Sequence, residues 1–314
     1  MVAGCPAGRS RRAEIGPAAT AFTCLSTAAS LPASESKTSA VKGTGVAKLH
    51  VVAVGINQYR EEAMNLKYAR EDAKSMVELF RRRGQRQYRE LSVAEVLDAQ
   101  ATKEGILNSL EKVARQAKAE DTLVVFLSGH GKMVGQRYYL IPHDFHRREN
   151  TIEEDIQWQG VPADVLADAV SKAPARKRIL IFDTCASGGA LGIGRQGQEP
   201  FAFRGAIEKL GERQGVFTIA ASAAGQEAQE IPEIGHGVLT YALLAGLRAV
   251  PLGGPLEGLS VQPNGPDGVV DVLEWFSFAS GHVPRLTKRY LHQMQEVQTG
   301  AQGTSFPLLS AWEQ

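Results

Sequence analysis

Three runs of almost unbroken aliphatic residues, VVAVG (51–55), LVVFL (123–127) and ILIFD (179–183), limit what this chain can fold into. A strand with one wet face alternates apolar and polar residues. These runs have no polar member until their ends, so both of their faces must be covered. Between them lie segments with apolar residues at helical spacing: LKYAREDAKSMVELFRRRG (66–84), which closes on Gly84, and TKEGILNSLEKVARQA (102–117), opened by Thr102. LSVAEVL (91–97) reads as a further strand, RYYLIP (137–142) as a short one and VPADVLADAVSKA (161–173) as a helix. GVFTIAAS (215–222) is strand-like, and GVLTYALLAGL (237–247) and VDVLEWFSFASGHVPRLTKRYLHQ (270–293) are helical. Strands alternating with helices in this way predict one mostly parallel sheet with helices on both faces.

With 314 residues, 43% of them hydrophobic, the chain can bury one large core or two small ones. A net charge of +1 provides no general field for nucleic acid or for an anionic membrane, and no basic patch is interleaved with aromatic residues. No run approaches the roughly 18 to 20 apolar residues of a membrane span. Residues 1–45 are dominated by Ala, Ser, Thr and Gly, a composition that cannot bury a core, and read as a disordered or linker-like leader. The arginines of GRSRR followed by AATAFTCLSTAASL loosely imitate a signal peptide, but Thr and Ser dilute the apolar stretch. The expected compartment is the cytoplasm, with secretion or the periplasm as the alternative. Cys5, Cys24 and Cys185 leave one cysteine over and form no CxxC pair, which fits neither a disulfide framework nor a cysteine zinc site. His143 and His146 in PHDFH read as loop histidines.

Two of the aliphatic strands end in short polar sequences, SGHG (128–131) and TCASG (184–188). Parallel strands share a direction, so both turns are expected at the same carboxyl edge of the sheet, where open α/β folds bind ligands. A histidine and a cysteine then face one cleft. That is what a thiol nucleophile needs, a base near enough to take its proton or to hold it as a thiolate–imidazolium pair. The glycines flanking His130 let backbone approach closely, and an N–H beside it can face an oxyanion.

Read with their neighbours, these segments resemble the caspase-like cysteine endopeptidases, closest to the prokaryotic members and the metacaspases. VVAVGINQY, LKYAREDAKSM, VVFLSGHG, YYLIPHD, ILIFDTCASG, FTIAASAAGQEA, HGVLTYALLAGL and TSFPLL come in the family's order between Lys48 and Leu309, and His130 and Cys185 are 55 residues apart. The resemblance implies a three-layer α/β/α fold with a central, mostly parallel six-stranded sheet. It implies a peptidase domain over residues 46–310, followed by a short tail (311–314). Within it, residues 46–190 would be the large-subunit-like part, 191–214 a flexible linker and 215–310 the small-subunit-like part. It also implies Cys185 as nucleophile, His130 as general base and then acid, and the N–H groups of Gly131 and Cys185 as oxyanion hole. Caspases that cut after aspartate carry glutamine two places before the nucleophile, whereas this chain has Asp183. In the metacaspase-like branch Asp72, Ser128 and Asp183 resemble an acidic pocket, which suits protein or peptide substrates cut after Arg, then Lys. Cleavage of the chain by itself after Arg195 or Arg204 would follow the family's habit.

Some features depart from that pattern. Metacaspases usually have histidine after the nucleophile, where this chain has Ala186. GKMVGQRYYLIPH (131–143) lacks the acidic residues of the calcium-dependent members, so neither a metal nor another cofactor is expected. GIGRQG (192–197) is a literal GxGxxG but neither follows a strand directly nor opens a helix. A cysteine phosphatase would want Arg where Leu191 stands, and a nucleophile elbow would want Gly where Asp183 stands. The rival from another class is a catalytically silent interaction module of the same fold, which loss of the dyad would create.

Overall fold

A computed structural model describes residues 46–184, 215–221, 230–292, 294–301 and 303–311. Among them the strands are β1 (Lys48–Gly55), β2 (Glu90–Leu97), β3 (Thr122–Gly129), β4 (Gly131–Val134), β5 (Arg137–Leu140), β6 (Val161–Pro162), β7 (Lys177–Thr184), β8 (Val216–Ala220), β9 (Glu230–Ile231), β10 (His236–Gly237), β11 (Val269–Asp271), β12 (Gln298–Ala301) and β13 (Pro307–Ser310). The α-helices are α1 (Ala69–Arg83), α2 (Lys103–Gln116), α3 (Ile152–Gln159), α4 (Ala163–Ser171), α5 (Val238–Gly246) and α6 (Val272–Leu291).

The aliphatic runs form the middle of a six-stranded sheet in the order β12–β8–β7–β3–β1–β2. Five of its strands run parallel, and β12 pairs antiparallel with β8 at one edge. Strand side chains alternate between faces, so each run feeds two cores. Val52, Val54, Val125, Leu127, Leu180 and Phe182 share one cluster with Ile106 and Leu110 of α2 and Leu166 and Val170 of α4. Val51, Ala53, Val124, Phe126, Ile179 and Ile181 share the other with Met76 and Phe80 of α1, Leu239 and Leu243 of α5 and Trp275 of α6. The result is the expected three-layer α/β/α arrangement.

Local chemistry sets several boundaries. The Thr102 side chain accepts the Gly105 N–H at 3.0 Å and starts α2, as its type and place predict. Gly84 ends α1 without a left-handed turn. A Cβ there would lie 2.6 Å from the Phe80 carbonyl, so crowding alone explains the glycine. Several features differ from the sequence expectation, among them short strands β6, β9, β10, β11 and β13. SGHG is not a turn after a strand, because β3 runs on through Ser128 and Gly129 and β4 begins at Gly131. Helix α3 has a Thr151–Glu154 capping box but too few apolar residues to show a stripe. Strand β12 has the sequence QTGA and alternates between half-buried and exposed, as an edge strand can.

The seat of α1 on the sheet is tight. A Cβ on Gly55, at the end of β1, would lie 2.5 Å from the Ala69 carbonyl and 2.8 Å from Ala73 Cβ. The first turn of α1 therefore rests on bare backbone at the carboxyl edge of the sheet. Gly55→Ala is expected to destabilise the protein by about 1–3 kcal/mol through overpacking. Calorimetry checks this, and an unchanged melting midpoint would mean that α1 is not held so closely.

Candidate active site

His130 joins β3 to β4 and is held from two sides by the loop that follows β1. The Tyr59 hydroxyl accepts the His130 backbone N–H at 2.8 Å, and the two rings pack with centroids 5.0 Å apart. The imidazole Nε2 lies 2.7 Å from the Met64 carbonyl. A carbonyl only accepts, so the proton of the neutral ring sits on Nε2 and the lone pair on Nδ1. Burial disfavours the charged imidazolium and pushes the His130 pKa below the usual histidine value, with the Met64 hydrogen bond acting weakly the other way. Gly129 has φ +155° and no room for a side chain, since a Cβ would lie 2.8 Å from the Tyr59 hydroxyl.

The loop is itself anchored. Asp98, at φ +45°, accepts the N–H groups of Asn57 and Gln58 at 2.9 and 3.1 Å and pairs with Arg70 at 3.2 Å. Asn65 accepts the Tyr59 N–H at 2.8 Å, and Asn57 accepts the Arg70 N–H at 2.8 Å. The left-handed backbone at Asp98 is one that short polar residues tolerate.

Two residues before His130 in the chain, Ser128 stands where two carboxylates meet the start of α5. Ser128 and Asp183 are register partners across β3 and β7. Asp72 enters from the first turn of α1, and its carboxylate accepts the His236 Nδ1–H at 2.7 Å, the Gly237 N–H at 3.2 Å and the Ser128 hydroxyl at 3.4 Å. Asp183 accepts the Thr240 N–H at 3.0 Å and a short bond from the Thr240 hydroxyl. The N-cap of α5 is Gly237, which has no side chain to offer. Two of the N–H groups at the start of α5, those of Gly237 and Thr240, are thus satisfied by aspartates from α1 and β7, on the positive end of the helix dipole. A Cβ on Gly237 would lie 2.5 Å from Asp183 Oδ2 and 3.1 Å from Asp72 Oδ2. Asp72 is 1% exposed, and its burial raises its pKa, while the bonds from His236, Gly237 and Ser128 pull it down.

Of the residues singled out from the sequence, Asp72, Ser128 and Asp183 come together, with His130 two residues beyond Ser128. Gly131 is buried in β4 opposite Leu140. Cys185, Arg195 and Arg204 lie outside the described residues, as does GIGRQG. The last described residue before Cys185 is Thr184, the register partner of Gly129, whose hydroxyl bonds the Tyr138 hydroxyl. His143 Nδ1 lies 2.6 Å from the Gln58 carbonyl. His146 lies between Arg60 and Arg148. Among the described residues no group of three or more His, Cys, Asp or Glu could hold a metal ion, and no helix is long and apolar enough to cross a membrane.

Sequence reasoning missed Tyr59, His236 and Thr240. Tyr59 gave no signal by its type. For the other two there was one: HGVLTYALLAGL opens an apolar helix without Ser, Thr, Asp or Asn at its cap, so its donors had to find acceptors elsewhere in the fold.

Comparison with known proteins agrees with this architecture. The crystal structure of protein GSU0716 from Geobacter sulfurreducens superposes with a TM-score of 0.51 at 16% sequence identity, over 82% of this chain and 95% of that one, and shares its fold. No curated protein matches the chain significantly. A family model described as the caspase domain matches residues 48–295, which span β1 to the segment before β12. The chain is a member of the caspase domain family.

Proposed function

We propose that this protein is a cysteine endopeptidase that uses Cys185 and His130 and cuts after Arg, then Lys. Membership in the caspase domain family supports a cysteine peptidase in general terms. The observation that carries the finer reading is the register of β3 and β7. Ser128 pairs with Asp183 and Gly129 with Thr184, an offset of 55 residues, and the same offset separates His130 from Cys185.

In the proposed reaction His130 Nδ1 takes the proton of the Cys185 thiol as sulfur attacks the scissile carbonyl. The N–H groups of Gly131 and Cys185 receive the oxyanion. The imidazolium returns its proton to the departing amine, leaving a thioester on Cys185. Water attacks that thioester with His130 again as base, releasing the acid and the free thiol. Burial around His130 disfavours its imidazolium form, which favours thiol and neutral imidazole over a standing charge pair in the resting dyad.

Asp72 and Asp183 are the proposed partners of the substrate guanidinium. Each carboxylate has about four acceptor sites, so the donors already bonded to them need not exhaust them. A planar guanidinium fork meets two carboxylates better than an ammonium does, hence Arg before Lys. The reading also carries the division of the domain into parts 46–190 and 215–310, with self-processing after Arg195 or Arg204 in the connection between them.

Cys185→Ala and His130→Ala are each expected to reduce hydrolysis of Arg-ended fluorogenic peptides to background, because nucleophile and base act as a unit. A tenth of the wild-type rate retained by Cys185→Ala would refute the mechanism. In the same assay peptides ending in Asp should be poor substrates, and Asp183→Asn should lose most activity on Arg. Wild-type protein should also yield fragments beginning at Gln196 or Gly205, while Cys185→Ala stays whole.

The acid limb of kcat/KM should report His130 in the free enzyme. Its depressed pKa keeps Nδ1 unprotonated to lower pH, so activity should persist below about 6.5 and fall only at more acid pH. A limb centred above that value would mean that the resting dyad is an ion pair.

A further inference from the structure

We infer that His236 is a positioning residue for basic-residue recognition, holding the Asp72 carboxylate through Nδ1 as the anionic partner of a substrate guanidinium. The inference rests on the reading of Asp72 given above. Its basis is geometric. Among the bonds to Asp72 named above, the one from His236 is the shortest at 2.7 Å, against 3.2 and 3.4 Å for Gly237 and Ser128. His236 is fixed in turn by β10, which pairs it with Ile231 and runs directly into α5. One short stretch, His236 to Thr240, therefore supplies donors to both carboxylates, side chain and backbone to Asp72 and backbone and hydroxyl to Asp183.

The chemistry gives His236 a task that Gly237 and Ser128 perform less well. Asp72 is buried, and burial favours its neutral form, which could not form a charge pair with an arginine. A short Nδ1–H bond to one oxygen favours the carboxylate and fixes its orientation, leaving acceptor sites for an incoming donor. The His236 side chain keeps 15% exposure against 2% for that of Asp72, so the pair has a solvent-facing member.

Three proteins separate this role from simple support of the fold: wild type, His236→Leu, which fills the space without a donor, and His236→Asn, whose side-chain amide can donate near the place of Nδ1. The readout is the ratio of kcat/KM for paired peptides ending in Arg and in citrulline, which has the shape of arginine without its charge. Wild type should prefer Arg. His236→Leu should lose about tenfold or more of that ratio, and His236→Asn should recover most of it. If wild type prefers Arg and His236→Leu lowers both substrates equally, the inference is wrong and the Arg pocket stands. If wild type shows no preference for Arg, the pocket reading fails and takes the inference with it. Should His236→Leu not fold, carbon-13 NMR of the Asp72 carboxyl in wild type decides the matter: an ionised group at pH 7 is expected, and a protonated one overturns the proposal.

Discussion

Helix α5 begins without a side-chain cap of its own, and the two buried aspartates that accept the Gly237 and Thr240 N–H groups at its start tie together parts of the chain far apart in sequence. Asp72 comes from α1 and Asp183 from β7, 111 residues later, and both contact the segment from His236 to Thr240. An isolated buried carboxylate is costly, and a buried helix terminus without acceptors is costly too. Brought together, each offsets part of the other's penalty, with the helix dipole adding roughly 0.3–2 kcal/mol per anion. Neither aspartate can be replaced by an apolar residue without stranding donors on α5, and Gly237 cannot grow without displacing a carboxylate. The acidic site is therefore part of the fold's own hydrogen bonding, not an addition to its surface.

His130 is held by the same economy of backbone. Because β3 passes into β4 without a turn, His130 has little freedom along the chain, and the loop from Ile56 to Tyr68 closes on it with a hydroxyl and a carbonyl. Asp98 pins that loop by two of its N–H groups and by Arg70. Arg70 and Asp72 are neighbours on the first turn of α1, so this turn links the loop that orients His130 to the carboxylates under α5. The close contact at Gly55 fixes where that turn sits.

Much of this was legible in the sequence because the signals were strong and local. Runs such as LVVFL have few ways to be buried, and the helices between them have clear apolar faces. Asp72, Ser128 and Asp183 were singled out through the order of family motifs; the register of β3 with β7 sets Ser128 beside Asp183, and the Ser128 hydroxyl reaches Asp72. What escaped depends on contacts across the fold. Tyr59 acts through a hydroxyl that meets a backbone N–H 71 residues away. Thr240 and His236 belong to a cap whose acceptors lie 57 and 164 residues off. Strand β12 has almost no apolar side chain, and its pairing follows from the open edge of β8 rather than from its own composition.

In the proposed mechanism Cys185 is a nucleophile served by His130, and Asp72 and Asp183 receive the basic side chain of the substrate. The most direct measurement is covalent capture, in which the protein is treated with matched peptidyl acyloxymethyl ketones ending in Arg or in Asp and the adducts are located by peptide mass spectrometry. The account predicts a single adduct on Cys185, formed much faster with the Arg probe and absent from His130→Ala. An adduct on Cys5 or Cys24 instead, or faster capture by the Asp probe, would contradict it.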